Sequence, residues 1–243
     1  APDFSFNPST DEAIEVNYSP ETHYEAKRAN KTKLQKFLGL AVDPDAPLFF
    51  WPSRLDPSQK GCQLLADIMY RTISNYWHRN LQIVVIANGP FQEHFRNIAN
   101  FHNLHSRIAV IDFDEQLSRS GYAASDFLLI PSLFEPCGLP QMIGSIYGSL
   151  PIAHDTGGLH DTVVDVNVGK KRGNGFVFKT FDSAGLSWAI DQAMSFYDLA
   201  PEIKIPQITR IMKDSLERFN HSVTAKQYFR LYENMLHRPL IKR

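Results

Sequence analysis

The sequence lacks the short motifs that mark the commonest nucleotide-binding and acyl-transfer sites. No G-x-G-x-x-G follows the first predicted strand, which disfavours a nicotinamide cofactor, and the absence of G-x-x-x-x-G-K-[ST] excludes a P-loop. No G-x-S-x-G nucleophile elbow is present, so an α/β-hydrolase is not expected. Any chemistry must therefore be sought in other loops.

Cysteine, net charge and long apolar runs are also scarce. Cys62 and Cys137 are the only cysteines among the 243 residues and form no C-x-x-C pair, which argues against a disulfide framework and a zinc site. Lys plus Arg number 25 and Asp plus Glu 26, so no nucleic-acid partner is expected from the charge balance. No apolar run approaches the roughly 18 residues of a membrane span, so no membrane partner is expected either.

The N-terminus has neither the basic region nor the apolar region of a signal peptide. It does not begin with Met, and we expect a piece of a longer, cytoplasmic chain. Residues 1–30 are polar, contain three prolines and show little periodicity, which predicts an extended lead-in or interdomain linker. The folded domain is then expected at 31–243, with its first helical pattern at 26–40 stopping near Gly39.

From residue 48 onward, apolar strand patterns alternate with helical ones. Six strands are predicted, at 48–53, 81–87, 107–112, 126–131, 150–154 and 175–178. Hydrophobic residues make up 43% of the chain, enough to cover both faces of such strands. The pattern predicts an α/β fold with one doubly wound, Rossmann-like parallel sheet. Ligands of such sheets bind beyond the carboxyl ends of the strands, so the loops that follow the strands are the candidate sites.

The loop after the first strand, S-R-L-D-P-S-Q-K-G, carries Arg54 and Lys60. Two cations fixed at the end of a strand suit a diphosphate. For an isolated pair, two solvated surface charges are the more common explanation. Two further loops at the same predicted edge favour the diphosphate.

The loop after the fourth strand carries Glu135 just before Pro136. Gly138 is predicted to open a helix whose N-terminus offers free N–H groups to a phosphate or a sugar oxygen. Glu135 can either accept hydrogen bonds from sugar hydroxyls or cap this helix, and the residues leave both open. Cys137 is predicted to line the site as a small packing residue, because the sequence places no His beside it to activate a thiolate.

The loop after the fifth strand contains a third candidate, the turn Thr156-Gly157-Gly158, which leads into another helix. A T-G-G turn alone is more often only a tight turn, but together the three loops predict a ligand that carries phosphate and sugar. Carboxylates and histidines show no metal-ligand spacing, so no metal is expected. Positive charge must then come from Arg54, Lys60 and the helix ends.

Three segments carry a resemblance to a known family: F-E-P-C-G-L at 134–139, Y-G-S-L-P-I at 147–152 and D-T-G-G-L-H-D-T-V at 155–163. They resemble bacterial glycogen synthases and plant starch synthases of glycosyltransferase family five, and the resemblance runs almost end to end. It implies the C-terminal, nucleotide-sugar-binding half of the two-domain GT-B architecture. It also implies transfer of glucose from ADP-glucose or UDP-glucose to an α-1,4-glucan, with retention and without a metal or other cofactor.

The partners that the resemblance implies are the nucleotide-sugar donor, the α-1,4-glucan acceptor and an N-terminal domain toward which the last helix would cross. Because half of the cleft is absent, this chain alone is expected to be inactive. A bacterial source implies the cytoplasm, and a plant source implies the plastid stroma.

The resemblance also assigns roles to individual residues. Arg54 and Lys60 would hold the donor diphosphate and stabilise the leaving nucleotide, and Glu135 would bind the glucose hydroxyls. The residues that would contact sugar, phosphate or base are Cys137, Gly138, Leu139, Thr156, Gly157 and Phe113. For Phe113, which would stack on the base, the residues alone allow a core Phe at a strand end equally well.

Some departures from the family pattern bear on activity. Arg54 and Lys60 stand one residue further apart than is usual, so either Pro57 absorbs the extra residue as a bulge or Lys60 is displaced. Pro140 replaces the usual Thr or Asn. Ile143 occupies the position of a second Glu found in many GT-B enzymes for sucrose, lipid or small acceptors, which favours a glucan synthase. Two alternatives stay open: another GT-B glycosyltransferase, and a non-catalytic domain that binds nucleotide sugar or glucan and regulates a partner.

Overall fold

The computed structural model describes residues 1–240, in which strands and helices alternate. The strands are β1 (Leu48–Trp51), β2 (Gln82–Ile86), β3 (Ile108–Ile111), β4 (Phe127–Ile130), β5 (Leu150–His154) and β6 (Phe176–Phe178). The helices are α1 (His23–Leu38), α2 (Cys62–Asn75), α3 (Gln92–Phe101), α4 (Glu115–Ala124), α5 (Pro140–Tyr147), α6 (Gly157–Thr162), α7 (Ser183–Tyr197), α8 (Pro201–Arg218) and α9 (His221–Leu236). All six predicted strands are present, each shortened by at most two residues at an end.

The strands pair in parallel in one sheet, in the order β3-β2-β1-β4-β5-β6. The winding reverses between β1 and β4, which pair through Phe49 with Phe127 and through Phe50 with Leu128. The carboxyl ends of these two strands therefore open side by side, at the point where a doubly wound sheet binds its ligands. The predicted fold class, a doubly wound Rossmann-like parallel sheet, is confirmed.

Alternate side chains of β1 supply two separate cores, and all four of its residues are buried. Phe49 and Trp51 belong to the core formed with α2, α3 and α7, whereas Leu48 and Phe50 belong to the core formed with α1, α4 and α5. Helix α4 approaches β1 so closely that a Cβ on Gly121 would lie 2.7 Å from the ring of Phe50. Burial on both faces is why the strands appear in the sequence as near-continuous apolar runs.

The prediction of an extended lead-in over residues 1–30 is wrong from His23 onward, where α1 begins. The segment before α1 forms turns that pack on the domain. The Tyr18 hydroxyl donates to Tyr147 O over 2.8 Å, and Asp11, which is 5% exposed, accepts from the Tyr147 hydroxyl. The packing of this segment uses contacts with residues distant in sequence, which local composition does not reveal.

Helix α9 (His221–Leu236) is the last helix of the described residues. Unlike α8 before it, α9 has no buried side chain. Among residues 1–240, no helix combines the length and the apolar composition that crossing a membrane requires.

Lys27 of α1 buries an ammonium group where two helices end. Its Nζ donates to Ala123 O of α4 and to Tyr147 O of α5, both over 3.0 Å, and to Tyr122 O over 3.4 Å. Carbonyl groups at helix C-termini carry partial negative charge, which favours a cation there. Burial nevertheless lowers the pKa of Lys27 to about 7, with Asp126 opposing the shift and Lys31 adding to it.

Replacing Lys27 by Met tests this burial. Between about pH 7 and pH 10 the unfolded chain keeps Lys27 protonated while the folded chain does not, so the unfolded state binds more protons. The free energy of unfolding should then rise with pH by up to about 1.4 kcal/mol per pH unit, and Lys27→Met should remove this rise in urea unfolding curves. Lys33→Met, at an exposed position of the same helix, should retain it. An unaltered pH dependence in Lys27→Met would contradict the lowered pKa.

Candidate functional site

Three loops meet at the carboxyl edge of the sheet, after β1, β4 and β5. The loop after β4 is joined to the loop after β1 by the N–H of Leu133, which donates to Gln59 O over 2.8 Å. It is joined to the turn after β5 by the N–H of Gly158, which donates to Glu135 O over 2.8 Å. The three loops predicted to share a ligand therefore form one continuous surface.

Lys60 and Glu135 form an ion pair on this surface. The Nζ of Lys60 lies 2.5 Å from Oε2 of Glu135, and each side chain is only 11% exposed. Ser132 Oγ donates to the same carboxylate oxygen over 3.2 Å. Two side chains thus hold the carboxylate, and its other oxygen, Oε1, takes part in neither contact. The hydrogen bonds of the Glu135 carboxylate go to Lys60 and Ser132 and not to the backbone of α5, so the alternative that Glu135 caps this helix is wrong.

The loop that carries Lys60 is a turn built on Asp56. Asp56 Oδ1 accepts two backbone N–H groups over 2.9 Å each, and the carbonyl of Asp56 accepts the N–H of Lys60 over 3.0 Å. This turn includes Pro57 and ends at Lys60, whose side chain reaches Glu135 in the loop after β4. Arg54 is exposed at the start of the loop and stands outside the Lys60–Glu135 pair.

Phe113 follows β3 with 54% of its surface exposed, so the alternative of a core Phe is wrong. Its N–H donates to Oδ1 of Asn88 over 2.9 Å, and the carbonyl of Asn88 accepts the N–H of Leu55 over 2.9 Å. Asn88 therefore links the loop after β3 to the loop after β1. No sequence pattern singles out Asn88, because Asn-Gly-Pro after a strand indicates only a turn.

The start of α5 differs from its prediction. The helix begins at Pro140, with Leu139 as its N-cap residue, and not at Gly138, whose φ of 70° lies in the left-handed region. Pro140 lacks an N–H and therefore fits the first turn of a helix without losing a hydrogen bond. The buried Gln141 donates through Nε2 to the carbonyls of Cys137 and Gly138, over 3.1 and 2.9 Å. Cys137 and Leu139 remain exposed beside these carbonyls.

The turn Thr156-Gly157-Gly158 has a packing reason for its glycines. Gly157 has a φ of 46°, and a Cβ there would lie 2.3 Å from Glu135 O. A Cβ on Gly158 would lie 2.0 Å from Cys137 O. The loop after β4 therefore rests directly on the backbone of this turn, and larger residues would displace the segment that carries Glu135.

Two histidines not singled out in the sequence lie beside the same loops. Nδ1 of the buried His154 is 2.8 Å from Ser132 O, which helps to fix the residue that contacts Glu135. Nδ1 of His160 is 2.6 Å from Oδ1 of Asp155, and this hydrogen bond raises the pKa of the exposed His160. Within residues 1–240, no group of three or more His, Cys, Asp or Glu side chains is placed to hold a metal ion.

The fold and this surface define a class: a Rossmann-like domain whose three joined loops lie at the point where the winding reverses. The chain belongs to the group 1 glycosyl transferases, whose family model matches residues 46–195.

The similar proteins include bacterial glycogen synthases and a plant starch synthase. The glycogen synthase of Clostridium perfringens is 40% identical over 233 residues, which cover 95% of this chain and 46% of that protein. The glycogen synthase of Bacillus subtilis is 37% identical over 235 residues, which cover 96% of this chain and 46% of that protein. The solved catalytic domain of starch synthase IV from Arabidopsis thaliana, bound to ADP and acarbose, matches with a TM-score of 0.84 and 35% identity, over 96% of this chain and 47% of that one.

These similarities confirm the resemblance to glycogen and starch synthases that the motifs carry, and with it the identification of one half of a GT-B architecture. The chain spans about half the length of the curated relatives it matches.

Gly157→Ala tests whether the loop after β4 depends on the turn below it. Gly39, with a φ of 70° and no atom within 4 Å of an added Cβ, is a matched position without the close approach. Gly39→Ala should lower the free energy of unfolding only by the roughly 1 kcal/mol that a left-handed backbone costs an alanine. Gly157→Ala should lower it by more, because the carbonyl of Glu135 must also move. Equal losses in urea unfolding would mean that the loop is not held by the turn.

Proposed function

We propose that this chain is the donor-binding half of a retaining glucosyltransferase that extends an α-1,4-glucan from ADP-glucose or UDP-glucose. The observation that carries this proposal is the close match, at 35% identity, to a starch synthase catalytic domain bound to ADP and acarbose. The Lys60–Glu135 pair at the reversal of the winding supports it, because this is the edge where such sheets bind ligands.

In this proposal Arg54 and Lys60 hold the diphosphate of the donor. As the glycosidic bond to the nucleotide breaks, negative charge grows on the leaving phosphate, and cations fixed beforehand stabilise it at no cost of reorganisation. The partially positive N-terminal end of α5 adds to their field. No metal or other cofactor is needed for this role.

Glu135 binds the hydroxyls of the glucose in this proposal. Oε2 already accepts from Lys60 and Ser132, which fixes the plane of the carboxylate. Oε1 is then free to accept a hydrogen bond from a sugar hydroxyl without disturbing the ion pair.

In this proposal, exposed residues of the neighbouring loops contact the base, the sugar and the phosphates. The half-exposed ring of Phe113 offers a face on which the base stacks. The exposed Cys137 and Leu139, with Gly138 between them, line the sugar and the phosphates, and Thr156 and Gly157 approach from the turn after β5.

The other half of the cleft belongs to an N-terminal domain that binds the glucan acceptor. Helix α9 supports this partner, since Tyr228, Leu231 and Met235 on α9 are 52–69% exposed. An apolar helix surface of this kind fits a domain interface better than solvent. The glycogen and starch synthases named above come from bacteria and a plant, so the proposed location is the bacterial cytoplasm, or the plastid stroma for a plant source.

A second candidate function is a non-catalytic domain that binds nucleotide sugar or glucan. The observation that favours it is the contact between Lys60 and Glu135, which commits the ammonium to a carboxylate. In this case the longer protein binds donor tightly but transfers no glucose.

Calorimetric titration of this chain with ADP and, separately, UDP, without metal, tests the donor site and identifies the base. Arg54→Ala should weaken the binding of the preferred nucleotide at least about tenfold, as expected for loss of a hydrogen bond to a charged group. Arg71→Ala, an exposed arginine on α2, is the control and should bind normally. Unchanged binding in Arg54→Ala would remove that residue from the diphosphate site.

Turnover of the longer protein separates the two candidate functions. Arg54→Ala and Lys60→Ala should each lower glucose incorporation into glucan by about 10²-fold or more, the usual loss of one fixed donor to a developing anion. This chain by itself should elongate no glucan, since half of the cleft is missing. Elongation by this chain alone would contradict the proposed division of the site, and tight donor binding without turnover in the longer protein would favour the non-catalytic domain.

A further inference from the structure

A cavity of about 60 Å³ lies at the opposite edge of the sheet, between α1, α8 and the amino ends of β4 and β5. It is remote from the loops of the donor site, and none of its lining residues takes part in the proposed glucosyl transfer. Cationic side chains dominate its polar lining: Lys27, Arg28, Lys31 and Lys204. Two carboxylates, Asp45 and Asp126, oppose them.

Two of the four cations are paired with these carboxylates. Arg28 binds Asp45 at the rim, and Lys31 Nζ lies 2.6 Å from Asp126 Oδ2. The other two contact neutral groups in the part of the chain that the structure describes. Lys27 donates to three carbonyl oxygens, and Lys204 donates to Tyr197 O over 2.6 Å and lies 4.0 Å from the centre of the Tyr197 ring. The cavity therefore carries an excess of two positive charges when both lysines are protonated.

This excess is costly because the groups are removed from water. Lys27 and Lys31 are 6% and 2% exposed. Burial lowers the pKa of both Lys27 and Lys204, and Lys31 lowers each further by repulsion. An anion bound in the cavity would favour the protonated lysines and so offset the cost of burying them.

The cavity is also lined by a buried histidine, His23, one of whose ring nitrogens lacks a hydrogen-bond partner among the described residues. His23 is 2% exposed, and this nitrogen is Nε2. Its Nδ1 lies 2.8 Å from Pro20 O and must donate to that carbonyl. The neutral ring then has a lone pair on Nε2, so this buried atom requires a donor.

Donor capacity remains on the lysines around the cavity. Lys31 uses two of its three N–H groups, for Ala46 O and Asp126, and Lys204 uses one, for Tyr197 O. A ligand that fits must therefore be an anion that accepts several hydrogen bonds and also donates one. At about 10–15 Å³ for each water-sized group, the cavity holds about four to six such groups.

We propose that this cavity binds inorganic hydrogenphosphate. The ion has five non-hydrogen atoms and a double negative charge. Its oxygens accept hydrogen bonds from Lys31 and Lys204, Lys27 adds charge, and its single hydroxyl donates to Nε2 of His23. The Asp126 carboxylate does not exclude the ion, because Lys31 neutralises it and the N–H of Leu48 binds the same oxygen over 2.9 Å. Bound phosphate joins α1 to α8.

Sulfate is the discriminating probe, because it has the shape and the double charge of hydrogenphosphate but no hydroxyl. In calorimetric titrations at constant ionic strength, phosphate should bind this chain at least about tenfold more tightly than sulfate, the difference of one hydrogen bond to a buried group. Methyl phosphate, whose dianion also lacks a hydroxyl, should resemble sulfate. Equal binding of phosphate and sulfate, or tight binding of methyl phosphate, would overturn the assignment to hydrogenphosphate.

Variants locate the bound ion. His23→Asn keeps a donor for Pro20 O but removes Nε2, so it should reduce the preference for phosphate over sulfate to near unity. Lys204→Met should weaken the binding of phosphate at least about tenfold. Lys213→Met, on the same helix and paired with Glu21 at the surface, is the control and should bind phosphate normally. Unfolding curves show whether each variant folds.

Arg54→Ala separates this cavity from the donor site. It should leave the binding of phosphate to the cavity unchanged. Phosphate binding that is lost in Arg54→Ala and kept in Lys204→Met would place the ion at the donor loops and overturn the proposal. Failure of the cavity proposal would leave the nucleotide titration, and with it the donor site, unaffected.

Discussion

The pairing of β1 with β4 is the contact on which the carboxyl edge of the sheet depends. Lys60 and Glu135 are 75 positions apart in sequence and meet because their two strands lie side by side. The register is held by Phe49 and Phe50, which point into opposite cores. A slip of one residue would exchange the two cores, so packing far from the surface fixes the position of the ion pair.

The nearly buried Lys60–Glu135 pair constrains how a donor can bind. Ions removed from water are compensated only by good geometry and by partners for their remaining lone pairs and protons. Ser132 supplies one such partner, and Oε1 of Glu135 is available for another. A diphosphate beside Lys60 would add negative charge next to the ammonium, and a sugar hydroxyl would satisfy Oε1. On the proposed function, the donor therefore adds partners to Lys60 and Glu135 and does not need to break their ion pair.

The parts of this molecule that could be predicted from sequence are those set by local patterns. The strands are buried on both faces, so their apolar runs predicted all six, and the rule that ligands bind at the carboxyl edge directed attention to the loops that do meet there. The helical pattern at 26–40 predicted α1 except for its first three residues, but no local pattern showed that Lys27 binds carbonyls about 100 residues away in sequence. The role of Asn88 could not be predicted, because the sequence around a turn residue does not indicate which two loops that residue joins.

The same winding also separates charge between the two edges of the sheet. Helices begin near the carboxyl edge and end near the amino edge, so partially positive N-termini face the loops after β1, β4 and β5 and partially negative C-termini face the other way. Lys27 accordingly donates to the ends of α4 and α5, and Lys204 to Tyr197, the last residue of α7. Each helix end carries only about half a charge, which falls off within a turn. These carbonyls satisfy the hydrogen bonds of the ammonium groups but not their full charge, and a small anion would supply the balance.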